Sequence, residues 1–233
     1  MPDVLLVYMA GKSLLRIWNV SKCFGVIGVL HCQGISSYNW GNLILWRNLI
    51  FYQEQRALIL NAMPIPSSVS PSSIECIEEI AGKDWSGDCA VPAFDSGTLS
   101  KLQKRAAADV LLRILQFEIY IVSPINDYDE KVRFAPLGLI VMYNSGGDIV
   151  DLRSIISLSG CAIKIQARSP GRFRAYSSTW PVCCSVDNSE VELNNDPNNG
   201  LLSFHLSDAH CKNSFSYVRI KYLKFPRPSS NLS

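Results

Sequence analysis

At 233 residues the chain is long enough for one domain with a substantial core, and we expect one domain plus an irregular arm. Its composition, 48% hydrophobic and 18% charged, is rather apolar for a soluble domain, yet the richest stretch, NLILWRNLIFY, is broken by Arg47 and Asn48, short of the roughly 20 apolar residues that span a bilayer. A formal net charge of +2 spread along the chain gives no electrostatic footprint for nucleic acid.

The first residues, MPDVLLVYMAGKS, lack the basic start and small-residue cleavage site of a secretory signal, so the expected compartment is the cytoplasm. Eight cysteines are well below disulfide-scaffold density, which predicts that most are reduced, buried small hydrophobes. Residues 1–34 read as N-terminal strands. Gly11-Lys12-Ser13 looks like the tail of a phosphate loop, but the glycine required five residues earlier is Leu6, so Gly11 and Lys12 are expected in a turn between strands. Val26, Ile27, Val29 and Leu30 form a β-branched apolar run with glycines inside it, as in a buried strand.

Residues 35–72 change character, ending in the Pro- and Ser-rich MPIPSSVSPSS, and read as an irregular insertion or linker. Ser72 and Glu75 form a candidate capping box, with Ile74, Ile77 and Ile80 on one side of a short helix that Gly82 ends. Residues 73–224 are then assigned to the main β-sandwich and 225–233 to a disordered tail. DVLLRILQFEIYIV, apolar on both faces, is expected to run through the middle of a sheet. Cys161, Ile163 and Ile165 alternate with Lys164, Gln166 and Arg168, and Val218, Ile220 and Tyr222 with Arg219 and Lys221, which is the period of a half-buried strand. RFRAYSS, CCSVD and LLSFHL are further short strands, separated by turn-rich sequence such as NNDPNNG. The expected fold is mainly β, an antiparallel sandwich with one short helix.

Four segments in order, KSLLRIWNVSKCFGVIGVLHCQG, DWSGDCAV, FAPLGLIVMYNSGG and GRFRAYSS, resemble the C-terminal part of plant raffinose synthases and the related seed imbibition proteins, also described as alkaline α-galactosidases. The likeness covers most of residues 11–34 and 69–206. It implies a parent enzyme that moves or hydrolyses α-galactosyl groups, from galactinol to sucrose in raffinose synthases, with two aspartates on a (β/α)₈ barrel. The expectation is a chain that keeps the C-terminal sandwich and lacks that barrel, so neither catalytic aspartate is carried over and the chain alone is inactive. Departures are the stretch from Ile35 to Ile65, Ser169-Pro170 in place of a Cys-Gly pair, and Arg174 in place of a glycine. By this resemblance GVIGVLHCQG is a sandwich strand near the junction with the barrel, and galactinol, sucrose and raffinose are the carbohydrates to test.

The residues with chemistry have simple structural readings. Asp84 and Asp88 flank Trp85 and imitate a carboxylate pair, but the simpler reading is a loop in which aspartate caps a turn over a packed tryptophan. Cys183, Cys184, His205, His210 and Cys211 offer zinc-ligand types, yet adjacent strand residues diverge and there is no Cys-x-x-Cys. His31 beside Cys32 diverges likewise, and His31 is expected to be hydrogen-bonded at a sheet edge. Asp127, Asp129 and Glu130 read as a solvated turn and Asn144 to Gly147 as a tight connection. No catalytic, cofactor or metal residue is assigned. The competing classes are an autonomous carbohydrate- or protein-binding sandwich using Trp85 and Trp180, and an α-galactosidase in its own right. Self-association is expected through residues 42–52 or through the surface that would face the barrel.

Overall fold

The computed structural model describes residues 3–9, 12–31, 64–113, 116–140, 148–157, 160–206 and 215–223. In chain order the first strands are β1 (Asp3–Met9), β2 (Lys12–Val20), β3 (Gly25–His31) and β4 (Ile65–Val69), followed by a 3₁₀ turn (Pro71–Ser73) and helix α1 (Ile77–Ala81). Next come β5 (Asp88–Pro92), β6 (Leu99–Gln103), β7 (Ala108–Leu112), β8 (Phe117–Pro124), β9 (Asn126–Asp129) and β10 (Val132–Leu139). The remainder are β11 (Ile149–Ser157), β12 (Gly160–Ala167), β13 (Gly171–Ser177), β14 (Cys183–Val186), β15 (Ser189–Val191), β16 (Asn194–Asp196), β17 (Leu201–Leu206) and β18 (Ser216–Leu223).

These strands form a six-stranded sheet in the order β1-β2-β3-β8-β5-β6, two five-stranded sheets, β16-β17-β13-β10-β9 and β11-β12-β18-β14-β15, and a two-stranded ribbon, β4-β7. Every strand pair among the described residues is antiparallel, which excludes a parallel (β/α)₈ barrel from this part of the chain. The two five-stranded sheets face each other as the expected sandwich. Between them, Ile163 and Ile165 of β12, Val218 and Ile220 of β18, and Cys184 and Val186 of β14 meet Phe134 of β10, Phe173 of β13, and Leu202 and Phe204 of β17. Phe173 and Phe204 stack with ring centroids 5.2 Å apart.

The sheet holding β10 and β13 is covered on its other face as well. There Ala135, Leu137 and Tyr176 pack with Ala90 of β5 and with Ile125, joining the sandwich to the six-stranded sheet. The far face of that six-stranded sheet carries a further core, in which Ile27, Val29, Cys89 and Val122 meet the ribbon and Ile74 and Ile77 around α1. The alternation written into β12 and β18 is realised residue for residue: Ile163 pairs with Ile220 on the buried side and Lys164 with Arg219 on the wet side.

Three local expectations are corrected. First, α1 starts at Ile77 rather than after Ser72, because the Ser72 N–H is given to the Lys104 carbonyl and Cys76 turns into the left-handed region at φ 61° before the helix begins. Ile74 and Ile77 are nevertheless buried, and Gly82 ends the helix as expected. Second, DVLLRILQFEIYIV is two strands: the Gln116 N–H bonds the Arg113 carbonyl at 3.0 Å and its side-chain Oε1 accepts from the Arg113 N–H at 2.9 Å, so β7 leaves for the ribbon while β8 enters the six-stranded sheet. Third, β3 lies between β2 and β8, so His31 is buried within the sheet rather than at its edge. Lys12 is the first paired residue of β2, opposite Met9, while Gly11 lies outside the described residues. β4 falls inside residues 35–72, and residues 32–63 lie outside the described residues.

Candidate functional site

The loop Asp84-Trp85-Ser86-Gly87-Asp88 precedes β5, and its polar groups are consumed by folding. Trp85 packs partly buried on the core beside α1, and its indole N–H donates to the Asp88 carbonyl at 2.7 Å. The Asp88 carboxylate accepts from Arg133 Nη2 at 2.6 Å. From β10, the same guanidinium reaches Asp127 of β9 through Nε at 3.0 Å and Ser86 Oγ at 3.1 Å. Arg133 thereby ties the start of β5 in the six-stranded sheet to the sandwich, and these contacts hold its proton even more firmly than usual, the Asp88 hydrogen bond first. Asp88 is the charge-compensating partner of that clamp, with its strand packed behind it.

The other candidates stay apart. Cys183 and Cys184 sit on β14 and His205 on β17, in different sheets, and no group of three metal-ligating side chains occurs among the described residues. His210, Cys211, Cys32 and Asn144 to Gly147 lie outside them. Asp127 pairs with Arg133, Asp129 accepts from the Glu130 N–H at 2.8 Å, and Glu130 is exposed in the β9–β10 turn. The six described cysteines are free thiols, of which Cys89, Cys161 and Cys184 are buried and Cys76 is exposed. Burial pushes Cys89 and Cys184 up to about 12 and Cys23 to about 11, the opposite of a nucleophilic thiol. Trp180 is exposed, unlike Trp85.

A shallow groove of about 470 Å³ lies on the side of β13 and β17 turned away from the sandwich core. Arg172, Ser203, His205, Asn194, Glu192 and Val191 line it together with Phe204. Arg172 faces His205 across the strand pair and Arg174 faces Ser203. The groove went unremarked in the sequence, although R-x-R in a strand places both arginines on one face.

A family model described as raffinose synthase or seed imbibition protein Sip1 matches residues 7–206. The chain belongs to this family. Raffinose synthase-like relatives agree: a probable galactinol–sucrose galactosyltransferase 6 of Arabidopsis thaliana is 34% identical over 91% of this chain and 27% of its own length. A galactinol–sucrose galactosyltransferase of Pisum sativum is 33% identical over 78% of this chain and 22% of its own length. A stachyose synthase of Pisum sativum is 30% identical over 78% of this chain and 20% of its own length. The raffinose synthase-like chain thus spans about a quarter of the curated relatives it matches.

Proposed function

We propose that this raffinose synthase-like chain is a non-catalytic β-sheet unit of the galactosyl-transfer machinery its relatives are named for, and that it turns over no galactoside alone. The observation that carries this reading is the fate of Asp88. Retaining glycoside chemistry wants two carboxyl groups roughly 5 Å apart across an open cleft. Here Asp88 is bonded to Arg133 and Trp85 is folded against the core. Galactinol and sucrose are the substrates to offer, since the relatives' names carry them. Incubation of the purified chain with galactinol and sucrose, or with a chromogenic α-galactoside, is expected to release no product. Turnover that disappears in Asp84→Asn or Asp88→Asn would overturn the reading.

The unit also offers an apolar face to a second copy of itself. On the six-stranded sheet, opposite the α1 side, register places Ile17 beside Gly28 and Leu30 beside Phe117. Ile17 is 40% and Phe117 46% exposed, on β2 and β8, the two strands that flank β3. Apolar surface gathered in this way favours association.

A further inference from the structure

The side of β13 and β17 turned away from the sandwich core gathers cationic and hydrogen-bonding groups that nothing above uses. Alternation along β13 sends Phe173 and Ala175 into the sandwich core and leaves Arg172 and Arg174 on the opposite side. Along β17 it sends Leu202 and Phe204 inward and leaves Ser203 and His205 beside the arginines. Arg172 donates from Nη2 to Ser203 Oγ at 3.2 Å. Arg172, with five N–H donors on its guanidinium, lines the groove together with Asn194 and His205.

Arg174 is the unusual member. It is 7% exposed, its Nε has no hydrogen-bond partner, and among the described residues neither arginine forms an ion pair. A buried guanidinium without a carboxylate is costly, and a second one two residues along adds repulsion. Burial, and then the Arg172 charge, accordingly make Arg174 easier to deprotonate than an ordinary arginine. Glu192 is the one carboxylate among the lining residues, is exposed, and leaves the region with an excess of positive charge.

We propose that this groove binds a small oxyanion, a phosphate or carboxylate group of a soluble metabolite, through Arg172 with Asn194 and His205 as further donors and Arg174 as the buried charge behind them. Guanidinium groups hold such oxyanions by paired, charge-assisted hydrogen bonds. The partnerless Arg174 gives the groove a standing preference for an anion over a neutral sugar. This site does not depend on the chain being non-catalytic.

Calorimetric titration of the full chain with inorganic phosphate, citrate and sucrose tests it. Saturable binding of phosphate or citrate is expected, the stronger of the two naming the oxyanion, with none for sucrose. Arg172→Gln, at an exposed position, should weaken binding about tenfold or more, the effect of losing hydrogen bonds to a charged group. Arg174→Met should weaken binding too, without lowering the melting temperature, because it replaces an uncompensated buried charge by apolar volume. The proposal fails if neither anion saturates, if both variants bind like the parent, or if sucrose binds as tightly as the anions.

Discussion

Arg133 reaches three points of the chain with one guanidinium, and two of its contacts, to Asp88 and Ser86, span 45 and 47 residues. That separation explains why Asp88 stands out in the sequence as a carboxylate beside a tryptophan while its actual role is illegible there: the partner arrives only when β10 is laid beside β5. The pair is about one-third exposed, so Asp88→Asn should lower the unfolding free energy by at most about 1 kcal/mol, with the loss shrinking in high salt. Asp84→Asn, at an exposed position without an ion pair among the described residues, should stay within about 0.5 kcal/mol of the parent in the same urea titration. The thiols make a second residue-scale prediction. Cys23, Cys89 and Cys184 are raised from 9.0 to about 11, 12 and 12, so the folded state keeps protons that the unfolded chain releases. Their contribution is therefore complete below about pH 9 and is lost as pH rises through 9 toward 11–12, by up to about 1.4 kcal/mol per pH unit for each thiol. Urea midpoints taken between pH 8 and pH 10.5 should fall on that side only, and less steeply in Cys89→Ala; a flat profile would refute the linkage.

At the scale of elements, legibility follows how local the determining interaction is. β12 and β18 could be read because their alternation states which face is buried, and sheet pairing only matched them. The Arg113–Gln116 turn could not, because RILQ carries no glycine, proline or asparagine and its geometry is set by where β7 and β8 find partners. The start of α1 was hidden for the same reason: Ser72 is claimed by Lys104 of the loop after β6. The Arg172/Arg174 pair had a readable period, but its meaning required knowing that on the far side of β13 Arg174 is buried while Arg172 lines an open groove. The β16–β17 connection shows a local rule tightened by packing. Gly200 has φ +76°, its N–H closes the turn on the Asp196 carbonyl, and an added Cβ would meet the Ser177 carbonyl oxygen at 2.6 Å and Tyr176 at 2.8 Å. Gly200→Ala should therefore cost about 2–3 kcal/mol, whereas Gly97→Ala, also at positive φ but with open space around it, should cost about 1 kcal/mol. Equal midpoint shifts for the two variants in urea denaturation would contradict the packing argument.

For the whole molecule, the stacking of ribbon and helix, six-stranded sheet and sandwich buries both faces of the central sheets and leaves Ile17 and Phe117 among the apolar side chains in water. Sedimentation velocity should show concentration-dependent association of the chain, reduced when Ile17→Lys is combined with Phe117→Lys; a monomer at every concentration would remove the self-association proposal. Family membership was legible in short ordered segments such as DWSGDCAV and GRFRAYSS, whereas the order of the sheets and the use of Asp88 emerged only from the fold. The central claim, that no carboxylate here performs galactosyl chemistry, is tested most directly by trapping. A retaining enzyme forms a covalent glycosyl bond to its nucleophilic carboxylate, which an activated 2-fluoro-galactosyl donor arrests. After exposure to such a donor, the intact mass of this chain should be unchanged; a galactosyl adduct mapping to Asp84, Asp88 or any other carboxylate would contradict the account.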